Sequence, residues 1–126
     1  MDQQTRRKRV VVVEDEFALC VLLQTHFSKY YHITIFPDAE SCLEAVSTLE
    51  NVDVVIIDYR LPQMNGVELF KALRPLVPHA KFILTTGYLS PDSAEQEFKV
   101  GFDAMLLKPF DLQTLEKTIS GLLPQN

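Results

Sequence analysis

The sequence predicts an α/β protein, a parallel five-stranded sheet covered by helices on both faces. Three observations lead there. Five short apolar runs recur along the chain, a helix-period pattern follows each, and two of the runs are apolar at every position. Strands covered on both faces read as continuous apolar runs, whereas strands with one wet face alternate. Strand–helix alternation with short connections then implies right-handed crossovers and a parallel sheet between two helical layers.

The elements follow in order. Residues 10–13 (VVVV) form the first strand, and Leu19, Leu22, Leu23 and Phe27 mark the stripe of the first helix. Residues 33–36 alternate, with His32 and Thr34 between apolar residues, and belong at a sheet edge. The second helix carries Ala39, Leu43, Val46 and Leu49, with Asp38 as its N-cap after Pro37. Residues 54–57 form the third strand, wholly apolar. Val67, Phe70 and Leu73 make a third helix that Pro75 must end. Residues 82–84 are the fourth strand. Ser90-Pro91-Asp92 then opens a fourth helix, with a capping hydroxyl, Pro at the first position and an acid in the first turn; it runs to near Gly101. Ala104–Leu107 is the fifth strand, and Leu112, Leu115, Ile119 and Leu122 mark the last helix, capped by Asp111.

With 126 residues, 47% of them hydrophobic and 23% charged, the chain suits one folded domain. We assign residues 1–9 to a basic N-terminal tail and residues 10–123 to the domain. The net charge of −5 gives no general attraction to nucleic acid or to anionic membranes, so neither is an expected partner. The run Arg6-Arg7-Lys8-Arg9 could touch either, but no recognition helix accompanies it, and a solvated tail is the simpler reading. Cys20 and Cys42 form neither a CxxC pair nor a bridge framework, which suits a reduced intracellular setting. No signal peptide or membrane-length run is present, so the expected location is cytoplasmic. His26, His32 and His79 show no metal-ligand spacing.

The chemistry emerges at the strand ends. Glu14 and Asp15 follow the first strand, Asp58 the third, Thr86 the fourth and Lys108 the fifth. In an open doubly wound sheet, ligands bind at the carboxyl edge where the strand order reverses. With a flavodoxin-like (βα)5 three-layer sandwich of order 2-1-3-4-5, that switch point brings Glu14, Asp15 and Asp58 together. Three carboxylates in one crevice repel, and a cation relieves this. Hard oxygen ligands without His or Cys suit Mg²⁺, with Mn²⁺ as a substitute. Lys108 supplies a compact positive charge for a phosphate oxygen, and Thr86 a hydroxyl. These are the parts of an aspartyl-phosphate site.

The stretches VVVEDE (residues 11–16), IIDYRLPQMNG (56–66), LTTG (84–87) and LLKPF (106–110), in this order, resemble the receiver domain of bacterial response regulators, over nearly the whole chain. The resemblance implies that Asp58 accepts a phosphoryl group from a histidine kinase or phosphotransfer protein. It further implies Asp15 as the principal Mg²⁺ carboxylate, Glu14 acting through water, and Arg60 lending its backbone carbonyl. Lys108 would pair with the phosphoryl group and Thr86 would move to bond it. Gly87 would leave space beside it, and Pro109 would follow a cis peptide bond. Many relatives pair through the face formed by the fourth helix, fifth strand and fifth helix, so a homodimer there is a further expectation. With no effector domain after Leu123, the chain is expected to be a stand-alone regulator or a receiver taken from a longer protein.

Each residue singly has a plainer reading: Glu14 or Asp15 as a helix cap, Lys108 as a solvated lysine, Thr86 as a turn residue. Two departures from the family also stand out. Met105 occupies a position that usually carries Tyr or Phe, which weakens the expected output switch and leaves it to Thr86, Lys108 and the loop containing Tyr88. Phe102 is larger than the usual residue and is expected to add an apolar patch on the pairing face. The rivals are a phosphatase resembling the haloacid dehalogenases, a nucleotide or flavin binder, and a pseudo-receiver that is not phosphorylated. Asp58-Tyr59-Arg60 lacks the second acid of the first, no glycine-rich loop supports the second, and the intact Asp58, Thr86 and Lys108 argue against the third.

Overall fold

In a computed structural model of the chain, which describes residues 7–87, Gln96 and residues 100–124, five parallel strands form one sheet in the order β2-β1-β3-β4-β5. They are β1 (Arg9–Val13), β2 (His32–Phe36), β3 (Val52–Asp58), β4 (Lys81–Thr86) and β5 (Ala104–Leu107). Among the described residues the helices traced end to end are α1 (Phe17–Phe27), α2 (Ala39–Ala45), α3 (Gly66–Leu73) and a C-terminal helix (Leu112–Leu122). The fold is thus the expected doubly wound sandwich, with the alternating strand β2 at one edge.

The wholly apolar strands are central because their two sets of side chains face two separate cores. Val11, Val13, Val55 and Ile57 pack with Cys42, Leu69, Phe70 and Leu73 under α2 and α3. Val10, Val12, Val54 and Ile56 pack with Leu23, Phe27, Leu115 and Ile119 under α1 and the C-terminal helix. A one-residue slip would exchange these sets, so burial on both faces fixes the register. It pairs Val13 with Ile57 and Asp58 with Thr85, aligning the strand ends that carry polar residues.

Local signals were mostly legible. Asp38 and Asp111 accept the amides of Ser41 and Thr114 at 2.7 Å as N-caps, and α3 stops at Leu73, two residues before Pro75. The capping box of α3 was missed: Asn65 accepts from the Glu68 amide and Glu68 from the Asn65 amide, the N-x-x-E signature of a helix start. The second stripe also changes character. α2 ends at Ala45 and a 3-10 turn (Val46–Thr48) continues it. There Thr48 Oγ1 donates to the Ala45 carbonyl at 2.6 Å, and a side chain competing for backbone acceptors shortens a helix.

Three further differences concern boundaries and packing. β1 begins at Arg9, inside the stretch assigned to the tail, and Arg7 and Arg9 donate to the carbonyls of Ser28 and Glu50. Asp58 and Thr86 are the last residues of their strands rather than the first beyond them. Phe102 adds no surface patch: it is 3% exposed and stacks on Phe70 with ring centroids 4.5 Å apart. The helix start expected at Ser90-Pro91-Asp92 lies outside the described residues, whereas Gly101, expected near its end, has φ +128°, the region that favours glycine.

Candidate phosphoryl and metal site

The site forms where the strands stop and backbone pairing carries on. The Glu14 amide donates to Phe36, the Tyr59 amide to the Thr85 carbonyl and the Lys108 amide to the Thr86 carbonyl, at 2.7–3.0 Å. These bonds continue the sheet past its last residues and hold five side chains at one edge. Beneath them lies Gly66. A Cβ there would come within 2.7 Å of the Asp58 carbonyl oxygen, so only glycine lets α3 start this close to the end of β3.

Glu14, Asp15 and Asp58 each place a carboxylate oxygen within 4.8 Å of the others. Glu14 and Asp58 are buried, at 3% and 6% exposure, while Asp15 is exposed. Lys108 Nζ lies 2.8 Å from Glu14 Oε1 and 3.2 Å from Asp58 Oδ2, bridging the two buried acids. The remaining oxygens also have donors, the Glu16 amide to Glu14 Oε2 at 3.1 Å and the Arg60 amide to Asp58 Oδ1 at 3.3 Å. The Arg60 contact with Asp58 is made by its backbone amide; the expected role of its carbonyl as a metal ligand is a separate matter.

The electrostatics are unequal. Burial pushes the Glu14 carboxyl above its ordinary value, and nearby Asp58 adds to this, against the pull of Lys108 and the Glu16 amide. Burial works against charge on Lys108, but Glu14 and Asp58 outweigh it, so the ammonium loses its proton less readily than usual. The arrangement is an acid-rich cradle with one fixed cation. Oxygen donors without imidazole or thiolate in the set are what a hard divalent cation such as Mg²⁺ takes.

The other expected residues divide. Thr86 is buried at the same edge, and Pro109 follows a cis peptide bond. Gly87 is exposed, and a Cβ there would meet nothing within 4 Å. Met105 is half-buried against the core beneath α2 and α3. Tyr88 lies outside the described residues. The Glu14–Lys108 contact was not foreseen.

Comparison with known proteins bears on the family and the fold. The family model described as "Response regulator receiver domain" matches residues 10–120. The chain is 26% identical over 119 residues to sporulation initiation phosphotransferase F of Bacillus subtilis, covering 93% of this chain and 94% of that protein. It is 31% identical over 116 residues to the transcriptional regulatory protein ZraR of Klebsiella oxytoca, covering 90% of this chain but only 26% of that protein. Among solved structures, Vibrio cholerae chemotaxis protein CheY4 superposes with a TM-score of 0.83 at 27% identity, over 93% of this chain and 99% of that one. The chain belongs to the response-regulator receiver domain family.

Proposed function

We propose that this chain is a Mg²⁺-dependent phosphoacceptor, a signalling module rather than an enzyme acting on a separate substrate. Its reaction is transfer from a phosphohistidine of a histidine kinase or phosphotransfer protein to Asp58. An Asp58 carboxylate oxygen bonds to phosphorus, the P–N bond breaks, and the imidazole nitrogen leaves with the electron pair. The observation that carries this reading is the burial of Asp58 at the sheet edge, 3.2 Å from Lys108 Nζ and clustered with Glu14 and Asp15.

When bound, Mg²⁺ (or Mn²⁺) supplies positive charge against the carboxylates and the phosphoryl oxygens. Asp15, exposed at the mouth, and Asp58 would hold it directly, with the Arg60 carbonyl. Glu14, occupied by Lys108 and the Glu16 amide, would act through water. Lys108 would exchange a carboxylate for a phosphoryl oxygen, Thr86 would bond another, and Gly87 would keep the approach open. With Met105 in place of an aromatic, we infer that the response stays close to the site, because a flexible thioether has no ring or hydroxyl with which to report Thr86 movement.

Two free cysteines and, among the described residues, no helix long and apolar enough to cross a membrane support a cytoplasmic setting. Intact mass spectrometry after incubation with Mg²⁺ and acetyl phosphate tests the reading. Wild type should gain one phosphoryl group and Asp58→Asn none. Equal labelling of the variant would refute the assignment.

A further inference from the structure

Arg7, Lys8 and Arg9, part of the basic run expected to be a solvated tail, lie at the amino ends of β1 and β2, the edge opposite the acid cradle. Backbone pairing reaches back to Lys8, whose carbonyl accepts the His32 amide at 2.9 Å. Side chains alternate along an extended chain, so Arg7 and Arg9 share a face and Lys8 takes the other. Arg9 also stands in register with His32 on the neighbouring strand. Arg7, Arg9 and His32 thereby line one pocket of about 110 Å³, closed by Glu50 and Asn51 from the turn before β3. Asn51 has φ +57°, a left-handed conformation that Asn tolerates.

Both guanidinium groups are held by backbone. Arg7 Nη1 donates to the Ser28 carbonyl at 2.7 Å and Arg9 Nε to the Glu50 carbonyl at 2.9 Å. A guanidinium has five N–H donors, and each of these uses one in that bond. Among the described residues neither is ion-paired with a carboxylate. A backbone carbonyl orients a guanidinium without neutralising it. Two oriented cations around one pocket suit a phosphate group, because the planar N–H fork matches its oxygens. His32 adds a ring nitrogen and Asn51 a side-chain amide, while exposed Glu50 is the single acid in the lining. Size sets the class of ligand. Pockets for drug-sized molecules run from about 300 to 1,000 Å³. The room here equals that of roughly four waters, enough for a tetrahedral oxyanion and too small for a nucleoside.

We propose that this pocket at the amino edge of β1 and β2 is a phosphate-group site, in which Arg7 and Arg9 grip inorganic phosphate or the phosphate of a monoester. It lies at the far end of the strands from Asp58, so binding there is separate from phosphoryl transfer and needs no Mg²⁺. With Arg7 and His32 exposed, the affinity is modest, a Kd of about 1 mM.

Amide NMR of the full chain, at constant ionic strength and with EDTA in place of Mg²⁺, tests the proposal. Inorganic phosphate titrated to about 20 mM, well beyond the expected Kd, should shift the amides of Arg9, His32 and Asn51 along a saturating curve. Arg7→Gln should weaken binding by about tenfold, and Arg9→Lys, which keeps the charge but loses the fork, by about threefold or more. Glu50→Gln should tighten it by about threefold, a gain that a damaged fold does not produce. O-phosphoserine titrated in the same way separates the sources: tighter binding than inorganic phosphate marks a monoester ligand, and equal or weaker binding marks the free ion. Shifts at the amino edge that do not saturate, or that sodium chloride reproduces, overturn the site. Saturating shifts confined to Asp58 and Lys108 overturn its location, and unchanged affinity in both arginine variants overturns the two-guanidinium grip.

Discussion

Replacing Lys108 by Met removes the ammonium that bridges Glu14 and Asp58 while keeping most of the aliphatic stem. The cost can be bracketed from burial. Exposed ion pairs contribute about 0–1 kcal/mol, whereas removing one partner of a fully buried pair costs about 3–5 kcal/mol. Here both acids are buried, but the Lys108 side chain is 20% exposed and water reaches the pair. An intermediate loss of about 1–3 kcal/mol is expected at neutral pH without metal. The loss should depend on pH, with a sign set by Glu14. Its folded pKa is already raised, chiefly by burial, and losing Lys108 raises it further. Below the ordinary carboxyl value of 4.5 Glu14 is protonated folded and unfolded, and the missing cation matters little. As pH rises, the unfolded chain releases that proton freely while the folded variant resists, so its stability falls through the raised folded pKa. Urea unfolding in metal-free buffer, followed by circular dichroism because the chain has no Trp, should show a midpoint lowered by about 0.5–1.5 M at about pH 8 and by much less near pH 4. Adding Glu14→Gln to Lys108→Met should recover most of the loss, since the buried partner is then neutral. An equal loss at both pH values, or no recovery in the double variant, would show that Lys108 does not act through Glu14.

Four further expectations follow from the same geometry. Asp15→Ala should weaken Mg²⁺ binding by about tenfold or more and Glu14→Ala by less, measured by calorimetric titration; the reverse order would reassign the two acids. Gly66→Ala should destabilise by about 1–3 kcal/mol in urea, because its Cβ meets the Asp58 carbonyl at 2.7 Å and backbone cannot give way cheaply. Gly87→Ala should change stability by less than about 0.5 kcal/mol yet slow labelling by acetyl phosphate, so unchanged labelling would remove the access role. With the phosphoryl mimic beryllofluoride, amide NMR changes should concentrate around Asp58, Thr86 and Lys108 in wild type and spread across β5 and the C-terminal helix in Met105→Tyr. Changes of full extent in wild type would end the muted-switch reading.

The alternation of strands and helices was legible because it rests on short-range pattern, and the place of the site followed once the order 2-1-3-4-5 was taken from the flavodoxin-like fold. A β-branched run with no polar residue, such as residues 10–13, is compatible with little except a strand covered twice, and it lies in the sheet interior with all four residues buried. The alternation around His32 and Thr34 put β2 at an edge for the same reason. Once the order was fixed, polar residues directly after apolar runs had to meet at one edge, whatever the helices did. The N-caps Asp38 and Asp111 were equally local, each a side chain bonding an amide three residues on.

What only the tertiary structure decided involves choices between partners distant in sequence. Sequence spacing cannot say that Lys108 approaches Glu14 more closely than Asp58, because 2.8 Å against 3.2 Å depends on how far the end of β5 overhangs β1 and β3. Nor can it say that Phe102 turns inward to Phe70, since an aromatic after a glycine suits a surface patch or a core equally until the neighbouring ring is placed. The pocket around Arg7 and Arg9 is the same kind of fact. Its basic run was on view from the start, but Ser28, His32 and Glu50 reach it only through the pairing of β1 with β2 and β3. Local pattern fixes what a segment can be, because periodicity and capping act within a few residues. Partnership is fixed only when burial chooses among faces, and that choice is made by the whole fold.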